Sequence, residues 1–281
     1  MNVKVTVIER IQNEKLDIIK FELDGVSLEF ANAFRRVVLS EVPVMAVDEV
    51  IFLENDSPLF DEMIAHRLGL IPLTTDLKSY NLPHECVCGG VGCTLCQVEL
   101  TCSVKADLDG HIVRSGDLQS TDPAVKPVNG DVIIAKLQKN SSMVFEAFAR
   151  LGEGRDHAKW QPGQIGFGYT PDVTINNSQC AKCPDQCIAA RRCPEEIIEF
   201  SGNKAKLVKD YWHSCSVCEA CSRNCPQEAI TVSHKPNSYI FSIESSGAIT
   251  IKEIITRAMV VFQEKIDEFL VHLKNKELFP L

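Results

Sequence analysis

No stretch of this 281-residue chain approaches the roughly 18 consecutive apolar residues of a membrane-spanning helix. Its opening, Met1-Asn2-Val3-Lys4-Val5-Thr6-Val7, lacks the apolar core of a secretion signal. Both absences lead to the expectation of a cytoplasmic protein without membrane contact. Catalytic signatures are missing as well. There is no G-x-x-x-x-G-K-[ST] loop, no G-x-G-x-x-G after a strand, no H-E-x-x-H and no Asp-rich loop that would hold catalytic magnesium. Gly152-x-Gly154-Arg155 reads as a turn, not as a phosphate loop. The carboxylate pairs Asp61-Glu62 and Glu195-Glu196 are adjacent, so their side chains diverge and paired acid–base work is not expected of them. The formal net charge is -9, with no block of five like charges. A chain without an excess of Lys and Arg makes poor contact with phosphate backbones, which disfavours autonomous nucleic-acid binding.

What the chain has in excess is cysteine. Thirteen are present, in groups at 86–102, 180–193 and 215–225. Thiols clustered in a reducing compartment point to metal before disulfide. The third group, Cys215-x2-Cys218-x2-Cys221-x3-Cys225-Pro226, reproduces the bacterial ferredoxin run. Its two-residue gaps let three thiolates of one loop reach three iron corners, and the fourth, before proline, ligates the other cluster. The second group, Cys180-x2-Cys183-x3-Cys187-x5-Cys193-Pro194, has the same order with looser spacing. The repeat extends into Glu195-Glu196-Ile197-Ile198 against Gln227-Glu228-Ala229-Ile230. Crossed ligation then assigns Cys180, Cys183, Cys187 and Cys225 to one [4Fe-4S] cluster and Cys193, Cys215, Cys218 and Cys221 to a second. The looser run leaves open a three-iron [3Fe-4S] cluster or an empty site. The first group, Cys86-x-Cys88-x4-Cys93-x2-Cys96, lies on a loop with Gly89, Gly90 and Gly92. Four thiolates so close suit a tetrahedral structural zinc, with His84 an alternative ligand and disulfides or free thiols the competing readings. Cys102, on an alternating strand, reads as a small core residue.

The remaining pattern mixes helices and strands. Val3, Val5 and Val7 alternate, as do Leu16 and Ile18 toward Phe21, across the turn Gln12-Asn13-Glu14-Lys15, predicting a hairpin. Ser27 is an N-cap candidate for a helix to about Ser40, with Phe30, Phe34, Val37 and Val38 on one face and Pro43 as a stop. Asp48 to Leu53 predicts a strand and Phe60 to Leu68 a short helix. Short strands follow over Glu99–Lys105, Asp131–Leu137 and Met143–Leu151. The tail opens with the capping box Thr250-Ile251-Lys252-Glu253. Ile251, Ile254, Ile255, Ala258, Met259, Phe262, Ile266, Phe269, Leu270 and Leu273 then share one face, a stripe that reads either as the core helix of a single domain or, from its length, as a helix buried against another subunit.

Three segments carry a resemblance. Phe30-Ala-Asn-Ala-Phe-Arg-Arg-Val-Val-Leu39, followed by Glu41-Val-Pro43 and Ala46-Val-Asp48, resembles the pairing motif of the alpha-type subunits of RNA polymerases. Phe60-Asp-Glu-Met-Ile-Ala-His-Arg-Leu-Gly-Leu-Ile-Pro-Leu73 and His157-Ala-Lys-Trp-Gln-Pro-Gly163 are similar to two further signatures of that family. The likeness is greatest to its archaeal D-type members, which carry a ferredoxin-like insertion and are related to bacterial alpha and to the third-largest eukaryotic subunit. It implies an α+β fold. A discontinuous dimerisation domain (1–44 plus 228–281) would be interrupted by a β-rich insert with the Cys loop (45–170) and a ferredoxin-like two-cluster insert (171–227). It implies a non-catalytic assembly subunit of the nucleotidyltransferase. The implied partners are the small alpha-like subunit L in a heterodimer and the other polymerase subunits beyond it. The implied pairing face comprises Phe30, Phe34, Val37, Val38, Ile255, Met259, Phe262, Ile266 and Phe269. Cys86, Cys88, Cys93 and Cys96 correspond to a zinc site in the eukaryotic relatives. The rival reading is a ferredoxin-type electron-transfer protein, which leaves the three segments unused.

Overall fold

A computed structural model describes residues 3–13, 16–180, 182–183, 187–202 and 204–275. In chain order the strands and helices are β1 (Lys4–Gln12), β2 (Asp17–Asp24), α1 (Leu28–Ser40), β3 (Val44–Asn55), α2 (Asp61–Gly69), β4 (Gln97–Lys105), β5 (His111–Arg114), β6 (Gln119–Ser120), β7 (Ile133–Leu137), β8 (Ser142–Gly152), β9 (Gly163–Ile175), α3 (Asn177–Cys180), α4 (Ile188–Arg192), β10 (Ile198–Ser201), β11 (Lys204–Leu207), α5 (Ala220–Arg223), β12 (Ile230–Ser245) and α6 (Ile251–Asn275). Two compact units result. One comprises Met1–Arg10, Ile19–Asn32 and Gly166–Ser242; the other comprises Ile11–Ile18, Ala33–Ile165 and Ile243–Leu281. Among the described residues no helix is long and apolar enough to cross a membrane.

The sequence signals act locally as expected. Asn13 turns the hairpin by accepting the Leu16 amide on Oδ1 (2.8 Å), and residues 14 and 15 of the expected turn lie outside the described residues. Ser27 Oγ accepts the Phe30 amide at 3.3 Å, satisfying one of the free N–H groups at the start of α1. The capping box of α6 closes in both directions: Thr250 N–H donates to Glu253 Oε2 (3.0 Å) and Glu253 N–H to Thr250 Oγ1 (3.3 Å). The strand expected from Asp48 begins earlier, at Val44. Val44, Met45, Ala46 and Val47 are all buried and paired to Gly152, Leu151, Arg150 and Ala149 of β8. A stretch buried on both faces carries no alternation to read.

The larger unit is built on the antiparallel sheet β3-β8-β4-β6, with β5 and β7 as a separate pair. Its core gathers Met45, Leu100, Cys102, Leu137, Met143 and Phe145 with Ile64 and Leu68 of α2. Cys102 pairs opposite Phe145, is 1% exposed and serves as the small core residue expected. Ile64 and Leu68 are fully buried, a burial of about 1.5–3 kcal/mol for each side chain.

In the smaller unit Phe21 of β2 stacks on Phe241 of β12 (5.5 Å), and Phe167 of β9 tilts against the same ring (5.2 Å). Its second cluster of buried residues holds Val173, Ala189, Ile197, Ile198, Ala205, Ala229 and Ile230, together with Cys180, Cys193, Cys221 and Cys225. Apart from the cysteines, its fully buried members are alanines and branched aliphatics. A core so poor in large side chains needs a further source of folding free energy, which in small cysteine-rich folds is disulfide or metal.

Candidate functional site

Three groups of side chains stand out, and the first is the Cys86–Cys96 loop. The four Sγ atoms of Cys86, Cys88, Cys93 and Cys96 lie within 4.8 Å of one another. The Sγ–Sγ separations are 3.6 Å (Cys86–Cys93), 3.5 Å (Cys86–Cys88), 3.5 Å (Cys88–Cys96) and 3.9 Å (Cys93–Cys96). Thiolates about 2.3 Å from one tetrahedral ion stand about 3.8 Å apart, so the set fits a single metal ion without rearrangement. The loop reaches this shape through its glycines. Gly92 sits at φ 107, and a Cβ there would fall 2.5 Å from Gln97 Oε1, the atom that accepts Arg150 Nε (3.0 Å). The Gly92 amide, bonding the Cys88 sulfur, pulls that thiol down to about 6, whereas burial pushes Cys96 up to about 12. His84, the substitute ligand considered from sequence, instead lies 3.8 Å from Glu85 and outside the four-sulfur group.

The second and third cysteine runs interleave. Cys180, Cys183, Cys187 and Cys225 line one enclosed cavity of about 70 Å³, walled by Ile188, Ala189, Phe200, Pro226 and Ile230. Burial pushes Cys180 and Cys183 up, and the charges of Cys225 and Cys187 add to it. Cys215 and Cys221 are likewise raised by burial first, and then by Cys193. Cys225, the fourth thiol of the third run, thus lines the cavity of the second run. Residues 181 and 184–186 of the Cys180–Cys187 loop are outside the described residues.

The third group is the apolar face of the two long helices. In α1, Phe34, Val37 and Val38 are buried within the chain and Phe30 is half-buried. In α6 the stripe divides along its length. Ile251, Ile254, Ala258 and Val261 are buried, Ile255 and Phe262 half-buried, and Met259 (44%), Ile266 (40%), Phe269 (62%) and Leu270 (46%) exposed. Among the described residues, Met259, Ile266, Phe269 and Leu270 form an apolar surface of α6 that is left uncovered.

One arrangement carries no signal in the sequence. Arg155 Nη2 lies 2.6 Å from Glu153 and Nη1 3.8 Å from Glu41 Oε2; Lys265 of α6 reaches the same Glu41 oxygen at 3.2 Å. The Arg155 amide donates to the Ser40 carbonyl, 3.1 Å away. The turn read at 152–155 thus joins the end of α1 to α6. Isolated charges at 41, 155 and 265 follow no periodicity, so only the fold brings them together.

Comparison with known proteins identifies the family. A family model described as the RNA polymerase Rpb3/Rpb11 dimerisation domain matches residues 20–266. The DNA-directed RNA polymerase subunit Rpo3 of Methanosarcina acetivorans is 40% identical over 90% of this chain and 93% of its own. The Rpo3 of Pyrococcus furiosus is 39% identical over 95% and 97%, and that of Archaeoglobus fulgidus 38% over 92% and 94%.

Proposed function

Because the chain belongs to the RNA polymerase Rpb3/Rpb11 dimerisation-domain family, we propose that it is the alpha-like assembly subunit of an archaeal-type DNA-directed RNA polymerase. It contributes architecture to the enzyme and no reacting groups. It pairs with the small alpha-like subunit L, and the pair is the platform for the large catalytic subunits. The observation that carries this reading is the uncovered apolar stripe of α6: Met259, Ile266, Phe269 and Leu270. An apolar helical stripe of that length is stable in water only when another surface covers it. Phe30 and the half-buried Ile255 and Phe262 extend the face. Phe34, Val37 and Val38, already buried, support α1 from behind. The domain boundaries follow the same logic: 1–44 with 228–281 for pairing, 45–170 for the β-rich insert, 171–227 for the ferredoxin-like insert.

Cys86, Cys88, Cys93 and Cys96 hold a structural zinc. Two iron–sulfur clusters occupy the crossed sets, one on Cys180, Cys183, Cys187 and Cys225, the other on Cys193, Cys215, Cys218 and Cys221. The enclosed cavity lined by the first set and the scarcity of large core side chains around both support this assignment. The clusters supply binding free energy realised only in the folded state, so they staple the insert; their oxygen sensitivity would couple assembly to redox conditions. Protease digestion tests the staple. Cluster removal should open the 171–227 region and leave pairing with L largely intact, and an unchanged digestion pattern would count against it. A ferredoxin-type electron carrier leaves the family match over residues 20–266 without a purpose.

The overall reading is tested by assembling the polymerase from separately expressed subunits with and without this chain. Omission should leave the large subunits unassociated. Their full association without it would remove the scaffold role.

A further inference from the structure

The thirteen cysteines are unequally sheltered: Cys218 is exposed, and the other twelve are buried or half-buried. Cys218 stands between Val217 at φ 54 and Glu219 at φ 58. The left-handed region disfavours side chains with a Cβ, and a β-branched valine most of all. A backbone held in that region persists only where its surroundings impose it.

Both flanks of this tip are anchored. On the N-terminal side, Tyr211 Oη accepts the Val173 amide (3.3 Å), Lys20 Nζ donates to the His213 carbonyl (2.5 Å), and Lys235 Nζ lies 5.6 Å from the centre of the Trp212 ring. On the C-terminal side, Cys221 is buried in α5. Cys215 and Cys221 are therefore fixed by protein contacts, while Cys218 is carried on the strained segment between them. Beside the tip, Lys20, Phe167, Tyr169, Cys215, Ser216 and Val217 line an open cleft of about 410 Å³. The set on Cys180, Cys183, Cys187 and Cys225 faces a cavity of only about 70 Å³ with apolar walls.

We propose that Cys218 holds the labile iron corner of the chain: oxidation releases iron first at this thiolate, leaving a three-iron cluster on Cys193, Cys215 and Cys221. This rests on the iron–sulfur reading above. The step balances with a one-electron oxidant. The oxidant takes one electron from a [4Fe-4S]2+ core; the resulting [4Fe-4S]3+ core separates into [3Fe-4S]+ and Fe2+; the Fe–S bond to Cys218 breaks, and its thiolate takes a proton from water. Exposure admits oxidant and water to this corner.

The test uses the full chain with its small partner, purified without oxygen, with iron and sulfide counted at the outset. The complex is titrated with ferricyanide while electron paramagnetic resonance is recorded, and freed thiols are trapped with iodoacetamide and located by peptide mass. The expected result is a three-iron signal that grows with the release of one iron per chain, with alkylation confined to Cys218 at that stage. Alkylation appearing first at Cys183 or Cys187, or at several cysteines together, overturns the proposal while leaving the cluster reading in place. A preparation that binds neither iron nor sulfide defeats the cluster reading itself, and this proposal with it.

Discussion

Gly154 and Leu39 leave no room for a side chain between them: a Cβ at position 154 would lie 1.9 Å from the Leu39 carbonyl oxygen. That contact is backbone on one side, so no rotamer change relieves it. Gly154→Ala must push the turn away from the end of α1, at a cost of about 1–3 kcal/mol. A lower melting temperature together with weaker pairing to the small subunit is expected. An unchanged melting temperature would show that the turn yields freely.

The exposed part of α6 separates pairing from folding. Phe269 is 62% and Ile266 40% exposed, so a charge at either position costs this chain little on its own. In a pairing face each apolar anchor is worth about 2 kcal/mol, roughly 30-fold in affinity. Phe269→Asp and Ile266→Asp should therefore leave the melting temperature of the isolated chain within about a degree and weaken association with the small subunit at least that much by calorimetry. Val38→Asp, at a position 1% exposed, should instead unfold the chain.

Crossed ligation makes a counter-intuitive forecast. Cys225 lies in the third run but lines the cavity of Cys180, Cys183 and Cys187. Cys225→Ser should disturb the cluster of the second run and spare that on Cys215, Cys218 and Cys221; Cys193→Ser should do the reverse. Mössbauer spectra of the two variants, recorded with Cys183→Ser and Cys221→Ser as references, distinguish the patterns. If Cys225→Ser matched Cys221→Ser, each run would serve its own cluster and the crossed assignment would fail.

Metal binding at the Cys86–Cys96 loop should strengthen with pH. Cys96, pushed up to about 12 by burial, is a thiol at neutral pH in the metal-free protein, and the ion must displace its proton. Cys88, near 6, is already largely ionised above that value. Proton release on binding means that raising the pH from about 6 to 8 favours the bound state, and acidification favours release. Competition with a chelator of known proton affinity measures the slope. A flat or inverted dependence would exclude thiolate ligation.

Much of this was legible in the residues. The capping box at Thr250 and Glu253 and the Ser27 cap are local signals, and local hydrogen bonds realise them; the short helix expected over Phe60–Leu68 forms at Asp61–Gly69. Other parts depend on the fold. Periodicity does not show strand β9, because Gly163, Gly166, Gly168 and Pro171 interrupt it and mimic loop punctuation; β12, interrupted by Pro236, is expected only from the family resemblance, which implies a strand ahead of the tail helix. Periodicity placed Val38 and Phe269 on equivalent apolar stripes, yet one is buried and the other bare. Which stripe is covered is decided by the rest of the chain, and no window of sequence contains that information. The Glu41–Arg155–Lys265 junction is hidden for the same reason.

The scaffold role is tested most directly by the mass of the complex in solution. The full chain, co-expressed with the small alpha-like subunit and purified without chelator, is passed through size exclusion with light scattering. A single species with the summed mass of one copy of each is expected, and Phe269→Asp should split it into its components. If the intact chain instead elutes alone beside its small companion, the bare face of α6 is not a subunit interface and the assembly reading is wrong.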